Sequence, residues 1–483
     1  SPRVLHHLGH RELVAAQVMT SFGRTAIAAV VAAGLFAYIF LVESKKDPKL
    51  QGEGGETTSV KREKVFTGFD KLKVKSLTLK KRDGEIVQIE KNGENWTLVS
   101  PKEIPADPGE IGTLLDALQT LETEEVVSDA TTDLGAYGLK EPKIAASIVV
   151  EGATKPFEFE LGDSVPAGSG IFARVPGQPR LFVVSSTLEN TLSKTAFDLR
   201  DRNLFKVKRE AIQTLEVSNK GKLLFKLVKG AKGDDEWTIG APVATRAARW
   251  TIDSFIGLIE NLKMERIASD EASAADLAKY GLAVPEHRIV LTLQAGDPVA
   301  LDIGKKTDDG KYYARDGSSK LVATIVGGIV DDIEKGLKNV RAARLLDLAA
   351  YEVTGFDVSS AGATKTFTKA TAKGKDGVDT VTWKGTAPAK DATQEKASDA
   401  LFGIGSLEAS EFIDAPQALA TYGLDTPALR VSLRFEGDKV PDWFEIVIKG
   451  EDAFARRRND ASILKLDKAK AEALIKSFTE LGS

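Results

Sequence analysis

The 483-residue chain has no cysteine. Disulfides, thiolate zinc sites, iron–sulfur clusters, cysteine nucleophiles and a lipidated N-terminal cysteine are therefore excluded. Histidine is almost as scarce: of four, His6, His7 and His10 sit in the N-terminal tail. His287 stands alone in the body of the chain, just before a strand pattern, and reads as a solvated turn residue. A serine triad has only that histidine to draw on, and no His-Glu-x-x-His pair exists. A basic excess is also missing. The net charge is −4, whereas a nucleic-acid protein should show a clearly basic face. Gly362-Ala363-Thr364-Lys365-Thr366 lacks the glycine spacing of a phosphate loop. Thr307-Asp308-Asp309-Gly310 lacks the ligand spacing of a calcium loop and reads as a hairpin turn. Paired carboxylates leave no signature in a chain this rich in Asp and Glu. The expectation is a protein without catalytic residue, cofactor or metal.

What the chain does have is a unit written three times. Each copy carries a tryptophan in a strand-like run, a proline-bearing turn, an amphipathic helix and a Tyr-Gly-Leu triplet. The tryptophans are Trp96, Trp237 and Trp383; the triplets begin at Tyr137, Tyr280 and Tyr422, which lie 143 and 142 residues apart. Pro142, Pro285 and Pro427 follow the triplets. Apolar residues make up 42% and charged residues 28%, ordinary values for packed domains. A module of this length buries roughly two-thirds of its unfolded surface and needs no metal or disulfide.

Residues 25–42 run without a charge, from Thr25 through Leu35, Phe36 and Tyr38 to Val42. At ~1.5 Å per residue such a helix spans about 27 Å, enough for a bilayer core. It is expected to be a retained single-pass anchor, with membrane lipids as its partner, behind a tail at 1–24. Three arginines before it and three lysines just after give no orientation under the positive-inside rule. Residues 43–64 read as a flexible linker, and modules are expected at 65–205, 206–345 and 346–483.

Within each module an alternating strand pair leads to the tryptophan strand. Asp107, Thr245 and Asp391 are then positioned as helix N-caps. The helices carry one apolar stripe each: Ile111, Leu114, Leu115, Leu118; Ile252, Phe255, Ile256, Ile259; Ala397, Leu401, Ile404, Leu407. After the triplet come two more strands, the second ending on Gly162, Gly304 or Gly450, then Phe172-Ala173-Arg174, Tyr313-Ala314-Arg315 or Phe454-Ala455-Arg456. The class is α+β with mainly antiparallel sheets. Lys71, Lys73 and Lys75 alternate with Leu72 and Val74 like the solvated face of a strand. In the third copy the glycine-to-arginine interval is short and the opening strands are poor in large apolar residues, so it should be the least regular module. The segments 199–204 and 340–345, both arginine-rich, mark the joints.

Arg174, Arg315 and Arg456 are the recurring polar feature. They suit an acidic glycan, a phospholipid headgroup or partner carboxylates, or else a cross-strand carboxylate on the same sheet. Tyr137, Tyr280 and Tyr422 read as packed turn anchors.

This order of elements, from about residue 65 to residue 478, resembles the bacterial domain-of-unknown-function family 4340. The resemblance implies an accessory subunit of a gliding-type ABC transporter, held at the bacterial inner membrane with its large C-terminal region in the periplasm. Partners would be envelope or transporter proteins and no nucleic acid. A lipid- or polysaccharide-binding protein of the envelope is the alternative. No catalytic residue comes with the resemblance.

Overall fold

A computed structural model describes residues 62–130, 133–166, 168–231, 237–373, 379–386 and 389–483. The tail, the apolar run 25–42 and nearly all of the linker lie outside the described residues. Among those described, no helix is long and apolar enough to cross a membrane.

The three copies form three nine-stranded antiparallel sheets in tandem. In the first, β1 (Val74–Lys81), β2 (Ile86–Asn92), β3 (Asn95–Ser100) and β4 (Ile104–Pro105) precede the first helix, Pro108–Gln119. Next come β5 (Glu125–Ser128), β6 (Ile144–Val150), β7 (Phe157–Ser164), β8 (Gly170–Arg174) and β9 (Leu181–Ser185). Their order across the sheet is β4-β3-β2-β1-β6-β7-β8-β9-β5. The second sheet repeats it from β10 (Ile212–Asn219) to β18 (Val322–Ile325), the third from β19 (Val353–Ser360) to β27 (Ile463–Leu466). Even the irregularity repeats: the first strand of each copy is bulged against its neighbour at Val74/Ser76, Ile212/Thr214 and Val353/Gly355. Both outer strands of every sheet are short, two residues at one side and four or five at the other.

One face of each sheet carries the helix. Period-two alternation sends Leu77 and Leu79, Leu215 and Val217, Phe356 and Val358 into the core. The expected stripe of each helix is buried against them. Trp96 and Trp383 close this core, and the Trp383 indole N–H donates to Gln394 at 2.9 Å. The third copy is as regular as the others, contrary to expectation. Its sparse strands are offset by rings, with Phe356 against Phe367, Trp383 and Phe478 at centroid distances of 5.1, 4.9 and 5.9 Å.

Two cap assignments fail for one reason. A two-residue strand intervenes between the tryptophan strand and the helix, which delays the helix start. Thr245 lies in β13 (Thr245–Arg246), and the corresponding helix of the second copy begins at Arg249 behind Ala248. Asp391 accepts from Gly385 N–H and pairs with Lys384, while Thr393 caps the corresponding helix of the third copy, Gln394–Ser406, by accepting from Lys396 N–H. Asp107 directly precedes the first helix. Lys71–Lys73 is a 3₁₀ turn capped by Asp70 rather than strand, so Leu72 is exposed.

The chain divides into two compact units, one of 62–103 with Gly109–Lys194 and one of Ile104–Pro108 with Thr195–Ser483. The joint 199–204 and the second and third sheets belong to the latter.

Candidate functional site

The face away from the helices carries the recurring residues. In each copy the triplet glycine takes a left-handed conformation (φ 68°, 72° and 80° at Gly138, Gly281 and Gly423), which turns the chain back over this face. The tyrosine before it packs on the aromatic residue of the aromatic-Ala-Arg triplet. Tyr137 meets Phe172 at 4.9 Å, Tyr280 meets Tyr313 at 4.4 Å and Tyr422 meets Phe454 at 5.3 Å. The leucine completes a small second core, with Tyr280, Leu282 and Val322 in one copy and Leu424, Val447 and Ile463 in another.

Gly162 and Gly304 let the turn approach closely. A Cβ on either would lie 2.1 or 2.2 Å from the carbonyl oxygen of Tyr137 or Tyr280. Gly450 is not their counterpart. Register places Val447 there, since Ile446 opposes Leu429 as Leu161 opposes Ile144, and Gly450 sits in the hairpin after β25 (Asp442–Lys449). The short third interval is therefore a tighter hairpin and leaves the sheet unchanged.

Beside this second core lie the three arginines, each opposite a carboxylate of the neighbouring strand: Arg174 with Glu160, Arg315 with Asp302, Arg456 with Glu445. Arg174 Nε donates to Glu160 at 2.6 Å. Arg315 donates from Nε and Nη2 to one oxygen of Asp302 at 3.3 and 3.1 Å. Arg288 holds the other oxygen at 3.2 Å, an ion pair outside hydrogen-bond geometry. Glu445 receives Arg456 Nε on one oxygen and Arg430 on the other, the latter at 2.7 Å, and both guanidinium groups flank the Trp443 ring. The second and third copies thus enclose a carboxylate between two arginines, its side chain 1% and 3% exposed. In the first copy Ala145 replaces the second arginine, and Glu160 stays partly exposed. The third cluster borders a cavity of about 370 Å³ rimmed by Ser360, Gly362, Arg430 and Arg456.

His287 is not a solvated turn residue. It opens β15 (His287–Leu293), is 3% exposed and lies 3.4 Å from the Asn219 side-chain nitrogen. Burial pulls its pKa below the ordinary 6.5, with Glu334 and Glu286 opposing.

Sequence reasoning placed a joint at 340–345 but missed the charge buried in it, between the second and third copies. Arg246 donates to Asp442 at 2.6 Å, both buried. Arg341 reaches Ser462 and Asp414 at 2.5 and 2.7 Å and lies 3.7 Å from the Phe412 ring centre. Arg457, with a fully buried side chain, donates to the carbonyls of Ala342, Arg344 and Leu345 and pairs with Asp460. Burial lowers the Arg457 pKa, and the Asp460 charge opposes that shift. The repeated arginines in 199–204 and 340–345 were the available signal; the arginine from β26 (Asp452–Arg457) that meets them occurs in one copy only.

A family model described as Domain of unknown function (DUF4340) matches residues 96–236 and 237–427, together more than two thirds of the chain. No curated protein matches. Among solved structures, a DNA polymerase sliding clamp from Pseudomonas aeruginosa is similar at 10% identity, covering 84% of this chain and 93% of that one, with a TM-score of 0.16. That score carries no argument.

Proposed function

The chain belongs to the family Domain of unknown function (DUF4340), and from that premise we propose a non-catalytic, membrane-anchored scaffold of the bacterial envelope. It would hold a partner membrane complex, an ABC transporter being the class the sequence resemblance suggests. In this reading residues 25–42 lie in the inner membrane and the modules stand in the periplasm.

The observation that carries it is the joint between the second and third copies. Arg246, Arg341 and Arg457 are buried there among carboxylates and backbone carbonyls. Severing one such pair leaves an uncompensated charge, at about 3–5 kcal/mol. Two sheets joined that firmly present one continuous surface, which suits holding a partner better than hinging around a ligand. A lipid- or polysaccharide-binding role would want the recurring arginines at liberty, and each is engaged by a strand carboxylate.

Purification of the full chain from its own membranes in mild detergent tests this. The expected result is a stoichiometric membrane-protein partner. Recovery as a lone monomer from several gentle detergents would overturn the proposal.

A further inference from the structure

The joint 199–204 has the backbone course of 340–345. Arg200 bridges Ala106 as Arg341 bridges Ala247, and Asn203 bridges Lys263 as Arg344 bridges Glu408. Asp201, Asn203 and Leu204 therefore correspond to Ala342, Arg344 and Leu345, whose carbonyls receive the Arg457 guanidinium. Strand register aligns Arg315 with Arg456, which puts Asp316 at the position of Arg457 and Ser319 at that of Asp460. Where the second joint holds a guanidinium, the first has a cavity of about 310 Å³ lined by Arg200, Asp201, Asn203, Leu204, Asp316 and Ser319. Among the described residues, the carbonyls of Asp201, Asn203 and Leu204 accept no hydrogen bond.

The geometry points to this cavity as a binding site for a guanidinium group brought from outside the fold. The chain itself displays the chemistry, because a planar five-donor cation satisfies a ring of carbonyls where a point charge satisfies fewer. Charge placement agrees. Pro105 stands in β4 where Arg246 stands in β13, so one positive neighbour is absent. The Asp316 carboxylate compensates for the one lost between Asp460 and Ser319. Two cations line the cavity, Arg200 and Lys206; Lys206 is paired with Asp201 at 2.8 Å, and Arg341, the counterpart of Arg200, likewise shares its joint with Arg457. The guanidinium could come from an arginine side chain of a partner or from a soluble small molecule; the recognition is the same. The inference does not rest on the scaffold reading.

The test is calorimetric titration of the full chain in detergent with methylguanidinium, L-argininamide and the peptide Gly-Arg-Gly, with methylammonium as a control of equal charge. Saturable binding of guanidinium probes, at least tenfold stronger than methylammonium, is expected. If the free ions bind as well as the peptide, the source is a small molecule. If the peptide binds at least tenfold better, it is a protein side chain. The double substitution Asp316→Arg with Ser319→Asp transplants the second joint's own guanidinium and should abolish binding. Ser319→Asp alone should strengthen it at least threefold, which keeps the question decidable if the double variant fails to fold. No saturable binding by any probe, or binding unmoved by both variants, overturns the site.

Discussion

A carboxylate withdrawn from water must find its compensation within the fold, and the three copies differ in how far they have gone. Asp302 and Glu445 are withdrawn and answered by two arginines; Glu160 keeps some water and has one. Replacing Arg315 by Met should thus cost about 3 kcal/mol, because buried charge is left under-compensated. Arg174→Met should cost less, about 1 kcal/mol, because the partly exposed Glu160 can regain water. Hydrogen exchange resolved to the strands of each copy would read the difference, and equal losses would refute it. His287 supplies a pH effect of known sign. Its folded pKa lies below the ordinary 6.5, so the unfolded chain takes up the proton first. Stability is intact above 6.5 and falls as pH drops from there towards the folded value, by at most about 1.4 kcal/mol per pH unit. His287→Gln should flatten that slope in denaturation curves between about pH 7.5 and about pH 5. The sequence could not reveal this burial, because the residues around His287 alternate as an exposed strand end would.

At the level of elements, the triplet turn depends on a close approach that two copies obtain with glycine. Adding a methyl at Gly304 drives it into the Tyr280 carbonyl, which belongs to backbone and yields little. Gly304→Ala should destabilise the second copy by about 1–3 kcal/mol, with the largest gain in exchange at 274–282 and in β16 (Val299–Lys306). The helix stripes were legible because a 3.6-residue period over twelve or more residues survives any local context. So was the packed role of the three tyrosines, from the recurrence of their triplet. The cap at Thr245 was misread because two residues of edge strand leave no period to detect. Gly450 was misread because a glycine near the right place imitates alignment that only strand register can fix. For the arginines the strand carboxylates were foreseeable in kind, but not the second cations Arg288 and Arg430, which come from a strand on the other side.

Across the whole molecule, the second and third copies are tied by charge placed where water is not. Arg457→Met removes the donor to three carbonyls and strands Asp460, at about 3–5 kcal/mol. Calorimetry of the parent should show these copies unfolding together, and the variant should split that event into two. A single undivided transition in the variant would mean that the copies are coupled by something else.

Three copies of one sheet on one chain are also held at permanently high mutual concentration, the setting in which like strands add to like and chains misassemble. A long bare border on any sheet would invite its siblings during every folding cycle. Here the rims are cut to a few residues, and the first is further interrupted by Pro105, which offers no amide hydrogen to a newcomer. Lengthening such a rim should turn kinship between copies into a route to aggregation.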